Sequence, residues 1–203
     1  MTDVQTAAAY DARAAEYIKL LGDISQLDAA DADAIGRWRD ATAGPLLDAG
    51  CGPGLWTAFL NDDGHEAQGI DLSAEFITSA RERHRGIDFR VGSFRDLPFP
   101  DASFGGILAW YSLIHTPPED LPAVLGEFAR VLEPGGSILI GFFDGEPREP
   151  FAHAVTGAYF WDGSAMTALL EEAGFAVTAS ERRDRSPGEA SRRPHGAVTA
   201  RRR

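Results

Sequence analysis

The sequence predicts an α/β fold organised on a doubly wound, mostly parallel sheet, and three observations carry that expectation. Short apolar runs alternate with stretches of helical periodicity along most of the chain, the pattern of successive βα units. The run Leu46-Leu47-Asp48-Ala49 passes into Gly50-Cys51-Gly52-Pro53-Gly54 and then into a helical pattern at Leu55: a strand, a glycine turn and a helix N-terminus. Residues 104–110 form an unbroken apolar run, as expected of a central parallel strand covered on both faces.

Taken in order, the chain opens with helical stretches over 3–20 and 27–38, the first with Ala7, Tyr10, Ala14, Tyr17, Leu20 and Leu21 near helical spacing. Gly44-Pro45 breaks the helix before strand one (46–49), and the helix after the glycine loop carries Leu55, Trp56, Phe59 and Leu60. Asn61-Asp62-Asp63-Gly64 stops that helix, and 65–70 is strand two. Ser73 is a good N-cap for a helix running to 85, with Phe76, Ile77 and Ala80 as a modest apolar face. Alternating Ile87, Phe89 and Val91 mark strand three (87–91), and 104–110 is strand four. Over 118–132, Leu121, Val124, Leu125, Phe128 and Leu132 share one helical face; Glu133-Pro134-Gly135-Gly136 then turns the chain into strand five (137–143). A loop rich in glycine, proline and acid (144–150) leads to an aromatic segment (151–161) expected to overhang a pocket beyond the sheet. Residues 162–173 form another helix, stopped by Gly174. Strand six (175–182) and strand seven (194–201), joined through Ser186-Pro187-Gly188 without a helix, must be antiparallel.

Composition bounds the function. With 203 residues, 44% hydrophobic and 25% charged, the chain reads as one globular domain: a helical cap (1–43), a core (44–182) and a terminal strand with a basic tail (183–203). One cysteine excludes an internal disulfide framework, and no paired ligand spacing suggests a metal. No apolar leader and no apolar run of membrane-spanning length appear, so a cytoplasmic protein without membrane partners is expected. The net charge of −12 is uneven: 182–203 carries +6, leaving −18 on the remainder, which is a poor surface for nucleic acid. The basic tail is read as solvated arginine.

The glycine loop admits three readings. A Walker loop needs Gly-Lys-Ser/Thr at its end, and Gly54-Leu55-Trp56 excludes it. A dinucleotide fingerprint needs a third glycine where Leu55 stands, which disfavours a nicotinamide dehydrogenase. What remains is Asp-x-Gly-x-Gly-x-Gly, whose leading Asp48 suits a ligand with an ammonium or sulfonium better than an anion.

Asp48 to Gly54, followed by Asp71 at the end of the next strand, resembles the class I S-adenosylmethionine (SAM)-dependent methyltransferase family, in its small bacterial, methyltransferase-11-like form. The resemblance implies a Rossmann-like seven-stranded sheet of order 3-2-1-4-5-7-6 with strand seven antiparallel. SAM is then the cofactor and S-adenosylhomocysteine its product. The loop residues Asp48, Ala49, Gly50, Cys51, Gly52 and Gly54 would line the methionine and ribose, and Asp71, with Leu72 beside it, would take the ribose hydroxyls. After strand three, Gly92, Ser93 and Phe94 would meet adenine. The family's usual acid is replaced there by Ser93, whose hydroxyl can still accept from the amino group, and a second usual acid is replaced by Gly105. Ala109 would border the reacting methyl. A cap helix would bring Tyr17 to the cofactor, with Tyr10 either in the site or in ordinary packing.

For the chemistry, His115 is the first candidate base, His153 the second, and Tyr111 an orienting group. Trp110, Tyr111, Phe151, Tyr159, Phe160 and Trp161 would make an aromatic pocket for a small, planar or apolar acceptor. The expected function is methyl transfer to a small molecule by in-line displacement, by a monomer or homodimer. The alternative is a protein of this fold that binds SAM or its product in a non-methylating or regulatory role.

Overall fold

The structure, a computed structural model, describes residues 2–21, 29–185, 191 and 193–203. Its helices are α1 (Asp3–Asp11), α2 (Ala14–Leu21), α3 (Ala29–Asp40), α4 (Leu55–Leu60), α5 (Ala74–Arg83), α6 (Leu121–Val131) and α7 (Gly163–Glu172). Its strands are β1 (Leu46–Ala49), β2 (Ala67–Asp71), β3 (Phe89–Val91), β4 (Phe104–Trp110), β5 (Leu132–Phe143), β6 (Pro150–Ala152), β7 (Gly157–Tyr159), β8 (Phe175–Arg183) and β9 (His195–Arg202). Seven strands form one sheet of order β3-β2-β1-β4-β5-β9-β8. Pairing is parallel from β3 to β5 and antiparallel where β9 joins β5 and β8. This is the expected order, with β9 in the place of strand seven. The expected turn at Ser186-Pro187-Gly188 lies outside the described residues, as do the first two residues of the helix expected over 27–38.

Burial explains the layers. Leu121, Val124, Leu125, Phe128 and Val131 recur at helical spacing on α6, and all are buried. With Met166 and Leu170 of α7 they cover one face of the sheet against Leu47, Ile107 and Ile138. A side chain such as Phe128, fully enclosed, contributes about 1.5–3 kcal/mol. Ile35 and Trp38 of α3 and Leu60 of α4 cover the other face against Leu46, Leu108 and Leu139. Trp38 also donates from Nε1 to Ser137 Oγ at 2.9 Å, tying the cap segment to β5. Both faces of β4 are therefore closed, and all seven of its residues are buried.

Several expectations are corrected. The helix expected over 3–20 breaks at Ala12–Arg13 into α1 and α2. Strand five begins at Leu132, and Glu133-Pro134-Gly135-Gly136 is a bulge inside it rather than a turn before it, with Gly135 at φ +80°. The aromatic segment at 151–161 contains nearly all of a separate two-stranded ribbon, β6 paired with β7, which begins one residue earlier at Pro150. Gly105 has a steric reason: a Cβ there would fall 1.8 Å from the Ala43 carbonyl oxygen, so the connection from α3 leaves no room for the family's acid.

Candidate functional site

The carboxyl ends of β1, β2 and β4 meet beside the strand-order reversal, where ligands of open α/β sheets sit. Gly50, Gly52 and Gly54 all have positive φ (+84°, +54° and +88°), a backbone that side chains with a Cβ adopt only under strain. The amides of Gly50 and Cys51 both donate to the Ile70 carbonyl (2.8 and 3.0 Å), which pins the loop to β2. Asp71, partly buried at the end of β2, accepts from the Gly52 amide through Oδ2 and from the Ser73 amide through Oδ1, both at 2.8 Å. Burial raises its pKa against the opposing pull of these amides. A carboxylate offers about four acceptor directions, so two backbone bonds leave acceptor capacity on each oxygen.

Asp48 is turned elsewhere. It is buried and accepts from the Thr57 hydroxyl at 2.7 Å, bracing β1 against α4. Burial pushes its pKa up to about 7, with Asp71 adding to the rise. Asp48 thus braces the strand against the helix through Thr57, and its burial disfavours the charged form. Cys51 is buried with its thiol pushed well up, which fits a packed residue rather than a nucleophile. Ala49 and Ala109 are fully enclosed; Leu72 and Gly92 are half-buried, the Gly92 amide donates to the Asp71 carbonyl at 2.9 Å, and a Cβ on Gly92 would meet Ile70 at 2.8 Å.

Two observations leave room and an unmet polar group for a ligand beside the loop. A Cβ added to Gly52 would meet nothing within 4 Å, so the loop presents an open backbone face. A Cβ on Gly50 would instead lie 2.2 Å from Ser112 Cβ, and Ser112 Oγ is buried without a hydrogen-bond partner among the described residues. Such an orphan hydroxyl is costly unless something meets it. Sequence reasoning missed Ser112, because its nearness to Gly50 arises only when β4 pairs with β1.

Helix α1 lies across the strand ends. Asp3 pairs through Oδ1 with Arg95 (2.8 Å) and accepts from the Ser93 hydroxyl through Oδ2 (2.5 Å). A carboxylate therefore does stand beside Ser93, supplied by α1 from 90 residues away in the chain. Phe94 packs its ring against Phe128 at 6.0 Å. Asp11 accepts from the Ser73 hydroxyl (2.5 Å), and Arg13, just beyond α1, donates to the Ala154 carbonyl between β6 and β7. The Tyr10 hydroxyl is 2.7 Å from His115 Nε2, so this ring reaches the candidate base as well as its aromatic neighbours on α2 and α5. Tyr17 stands beside it, 5.8 Å between ring centres, with Phe76 against both rings.

His115 is buried at the end of the short turn after β4. Its Nδ1 lies 2.8 Å from the Gly157 carbonyl of β7, which can only accept, so Nδ1 carries the proton and Nε2 accepts from Tyr10. Burial lowers the His115 pKa, keeping the ring neutral, while burial, mainly, keeps the Tyr10 phenol protonated. His153 faces His115 at 5.0 Å between ring centres, its pKa lowered to about 4 by burial first, then by His115, Arg193 and Arg13.

Tyr111, at φ +57°, has its hydroxyl bound to His195 Nδ1 and to Arg185, and its ring lies 4.8 Å from Phe143. Phe143 links it to the two histidines, lying 6.3 Å from His153. Phe151 and Phe160 stack at 4.3 Å on the same wall, with Tyr159 half-buried at the end of β7. Trp110 and Trp161 are corrected from pocket wall to core: Trp110 packs against Trp56 on the α3–α4 face, and Trp161 is 1% exposed between the sheet and α7.

Comparison with known proteins agrees with this geometry. Residues 46–136 match the family model of the methyltransferase domain. Over 94 residues the chain is 39% identical to the malonyl-[acyl-carrier protein] O-methyltransferase of Erwinia billingiae, an alignment covering 46% of this chain and 37% of that protein. The chain spans only about a third to a half of the lengths of the characterised relatives it matches. Its fold superposes on 1,6-didemethyltoxoflavin-N1-methyltransferase from Burkholderia thailandensis, solved with S-adenosylhomocysteine, with TM-score 0.74 and 24% identity over 100% of this chain and 91% of that one. It also superposes on the [4+2]-cyclase SpnF with TM-score 0.78 and 22% identity, over 100% and 97% of the two chains. Over residues 46–136 the chain is thus similar in sequence to the methyltransferase domain, and its fold is that of class I SAM-dependent methyltransferases.

Proposed function

We propose that this protein transfers the methyl group of SAM to a small-molecule acceptor, with His115 as the group that takes the acceptor's proton. One observation carries the reading: α1 bridges the two halves of the crevice, with the Tyr10 hydroxyl on His115 Nε2 and Asp11 on the hydroxyl of Ser73, whose amide donates to Asp71. The candidate base and the candidate ribose acceptor are therefore held by neighbouring residues of one helix, which supports a single site.

SAM, when bound, supplies an already activated methyl group, so the chain's work is alignment and proton handling. Asp71 would hold the ribose hydroxyls, the open face of Gly52 would admit the methionine portion, and the Ser112 hydroxyl would gain its missing partner. Asp3 and Ser93 would meet the adenine amino group, the carboxylate doing what Ser93 alone does weakly. Neutral His115 offers a lone pair at Nε2, fixed there because Nδ1–H is held by Gly157. An acceptor hydroxyl or amine reaches that lone pair by taking the place of the Tyr10 hydroxyl, which remains a donor because burial resists its ionisation.

The relatives act on chemically diverse acceptors, malonyl-[acyl-carrier protein] and 1,6-didemethyltoxoflavin among them. This supports an acceptor chosen by segments outside residues 46–136, here α1, α2 and the β6–β7 ribbon. The second reading, SAM binding without methyl transfer, draws on the engagement of both His115 nitrogens and on the fold shared with a cyclase. Transfer of an isotopically labelled methyl group from SAM into a pooled small-molecule extract decides between them. We expect labelled product with the wild type and a loss of about a hundredfold or more in His115→Asn, with affinity for S-adenosylhomocysteine kept. Binding of S-adenosylhomocysteine without any labelled product would favour the second reading.

A further inference from the structure

The arginines around the acceptor side differ in one respect. Arg13 is paired with Glu16, Arg182 with Asp144 and Asp184, and Arg183 with Asp31. Arg193 has no carboxylate partner among the described residues. Its guanidinium instead lies on two aromatic faces, 4.5 Å from the centre of Phe151 and 5.8 Å from that of Phe143, and donates one hydrogen bond, to the Ala152 carbonyl at 3.1 Å. A guanidinium carries five N–H donors in a planar fork, so most of this one's donors remain for a ligand. Stacking on rings fixes the plane of the fork without neutralising its charge. The same Phe143 and Phe151 rings stand 6.3 and 6.4 Å from His153, whose ring faces His115.

We infer that Arg193 binds an anionic group, a carboxylate or a phosphate, on a planar acceptor whose ring lies along Phe143 and Phe151 and whose reacting end is directed toward His115. This deepens the proposed function and rests on it. An uncompensated cation on an aromatic shelf is costly to leave without a counter-charge in a half-buried place, and a bidentate anion satisfies both the charge and the fork. The chain's net charge of −12 sharpens the point, because a general electrostatic attraction for anions is absent and a local device is needed.

The test uses the wild-type protein saturated with S-adenosylhomocysteine and titrated calorimetrically with benzoate, phenyl phosphate and neutral benzamide. Benzoate or phenyl phosphate, whichever fits the fork, should bind at least about tenfold tighter than benzamide, a preference lost in Arg193→Gln and partly kept in Arg193→Lys. Arg37→Gln, which removes an exposed arginine of α3, should leave that preference unchanged. A carboxylate acceptor is indicated if benzoate leads and a phosphorylated one if phenyl phosphate leads. Equal binding of anions and benzamide, no binding of either anion, or an unchanged preference in Arg193→Gln overturns the inference. S-adenosylhomocysteine binding in the same samples separates the two claims: its absence from the wild type overturns the proposed function, whereas its presence with no anion preference overturns only the role of Arg193.

Discussion

The cofactor side and the acceptor side of the crevice are built differently. On the cofactor side, Asp71 fixes Gly52 across 19 residues and Ser73 across two, and the loop amides reach the neighbouring strand. On the acceptor side the contacts span 42 residues (His115 to Gly157), 84 (Tyr111 to His195), 105 (Tyr10 to His115) and 141 (Arg13 to Ala154). Around the glycine loop the first side is a backbone device that short-range residue types largely specify, and its far end at Ser93 draws on Asp3 from 90 residues away. The second is an assembly of contacts from four separate segments, with no element whose pattern announces the others. A family can therefore keep the first side while the second changes its substrate.

The largest effects should come from the glycine loop, where two neighbouring glycines ought to fail in different ways. Gly50→Ala drives a methyl into Ser112 at a positive φ, and it should cost about 3 kcal/mol or more of unfolding free energy, measured by urea denaturation. Gly52→Ala meets no protein atom and should cost about 1–2 kcal/mol from backbone strain alone. It should nevertheless weaken S-adenosylhomocysteine binding by at least about tenfold, because the added methyl enters the ligand's space. Equal losses of stability in the two variants would show that the loop is scaffold only.

The two sides should also answer to pH with opposite signs. Asp48 has its pKa raised to about 7, so its contribution to stability is complete below its unfolded value of about 4 and is lost as pH rises to about 7. His115 and His153 have lowered values, the latter about 4, so their contribution is complete above an unfolded value of about 6.5 and is lost as pH falls. Each proton contributes at most about 1.4 kcal/mol per pH unit. Over about pH 4–6.5 the slopes partly cancel. Asp48→Asn, which keeps an acceptor for Thr57, should make stability rise more steeply with pH over that range. His153→Gln should make it fall. Urea midpoints across the range give both slopes, and a wild-type-like profile in either variant would break the contrast.

The smallest effect is expected from Tyr10→Phe. Losing the hydroxyl on His115 Nε2 should cost about 1 kcal/mol of stability. Affinity for S-adenosylhomocysteine should change little, since the Tyr10 hydroxyl is engaged with His115 rather than Asp71, while acceptor turnover changes. Methyl-transfer kinetics set beside a calorimetric titration would show whether the effect stays on the acceptor side.

The legibility of the sequence divides along the same line. The strand-turn-helix at Asp48 to Gly54, the acid at Asp71, the N-cap at Ser73 and the unbroken run of β4 are local patterns, and the structure returns each of them in place with the expected sheet order. Ser112 escaped because its role depends on Gly50 in another strand, and Asp3 because a lone acid near a terminus has no pattern. Trp110 and Trp161 misled because aromatic residues serve core and pocket alike. Their burial was settled by α3 and α7 packing on opposite faces of the sheet. Asp48 was read by charge, yet the Thr57 hydroxyl nine residues on decides its direction.

The central claim is that Asp71 and the glycine loop hold the ribose and methionine of SAM. Calorimetric titration of the wild type and of Asp71→Ala with S-adenosylhomocysteine tests it most directly. One saturable site in the wild type, with affinity reduced at least about a hundredfold in the variant, is the predicted result, since two charge-assisted hydrogen bonds would be lost together. No binding to the wild type, or equal binding to both proteins, would contradict it.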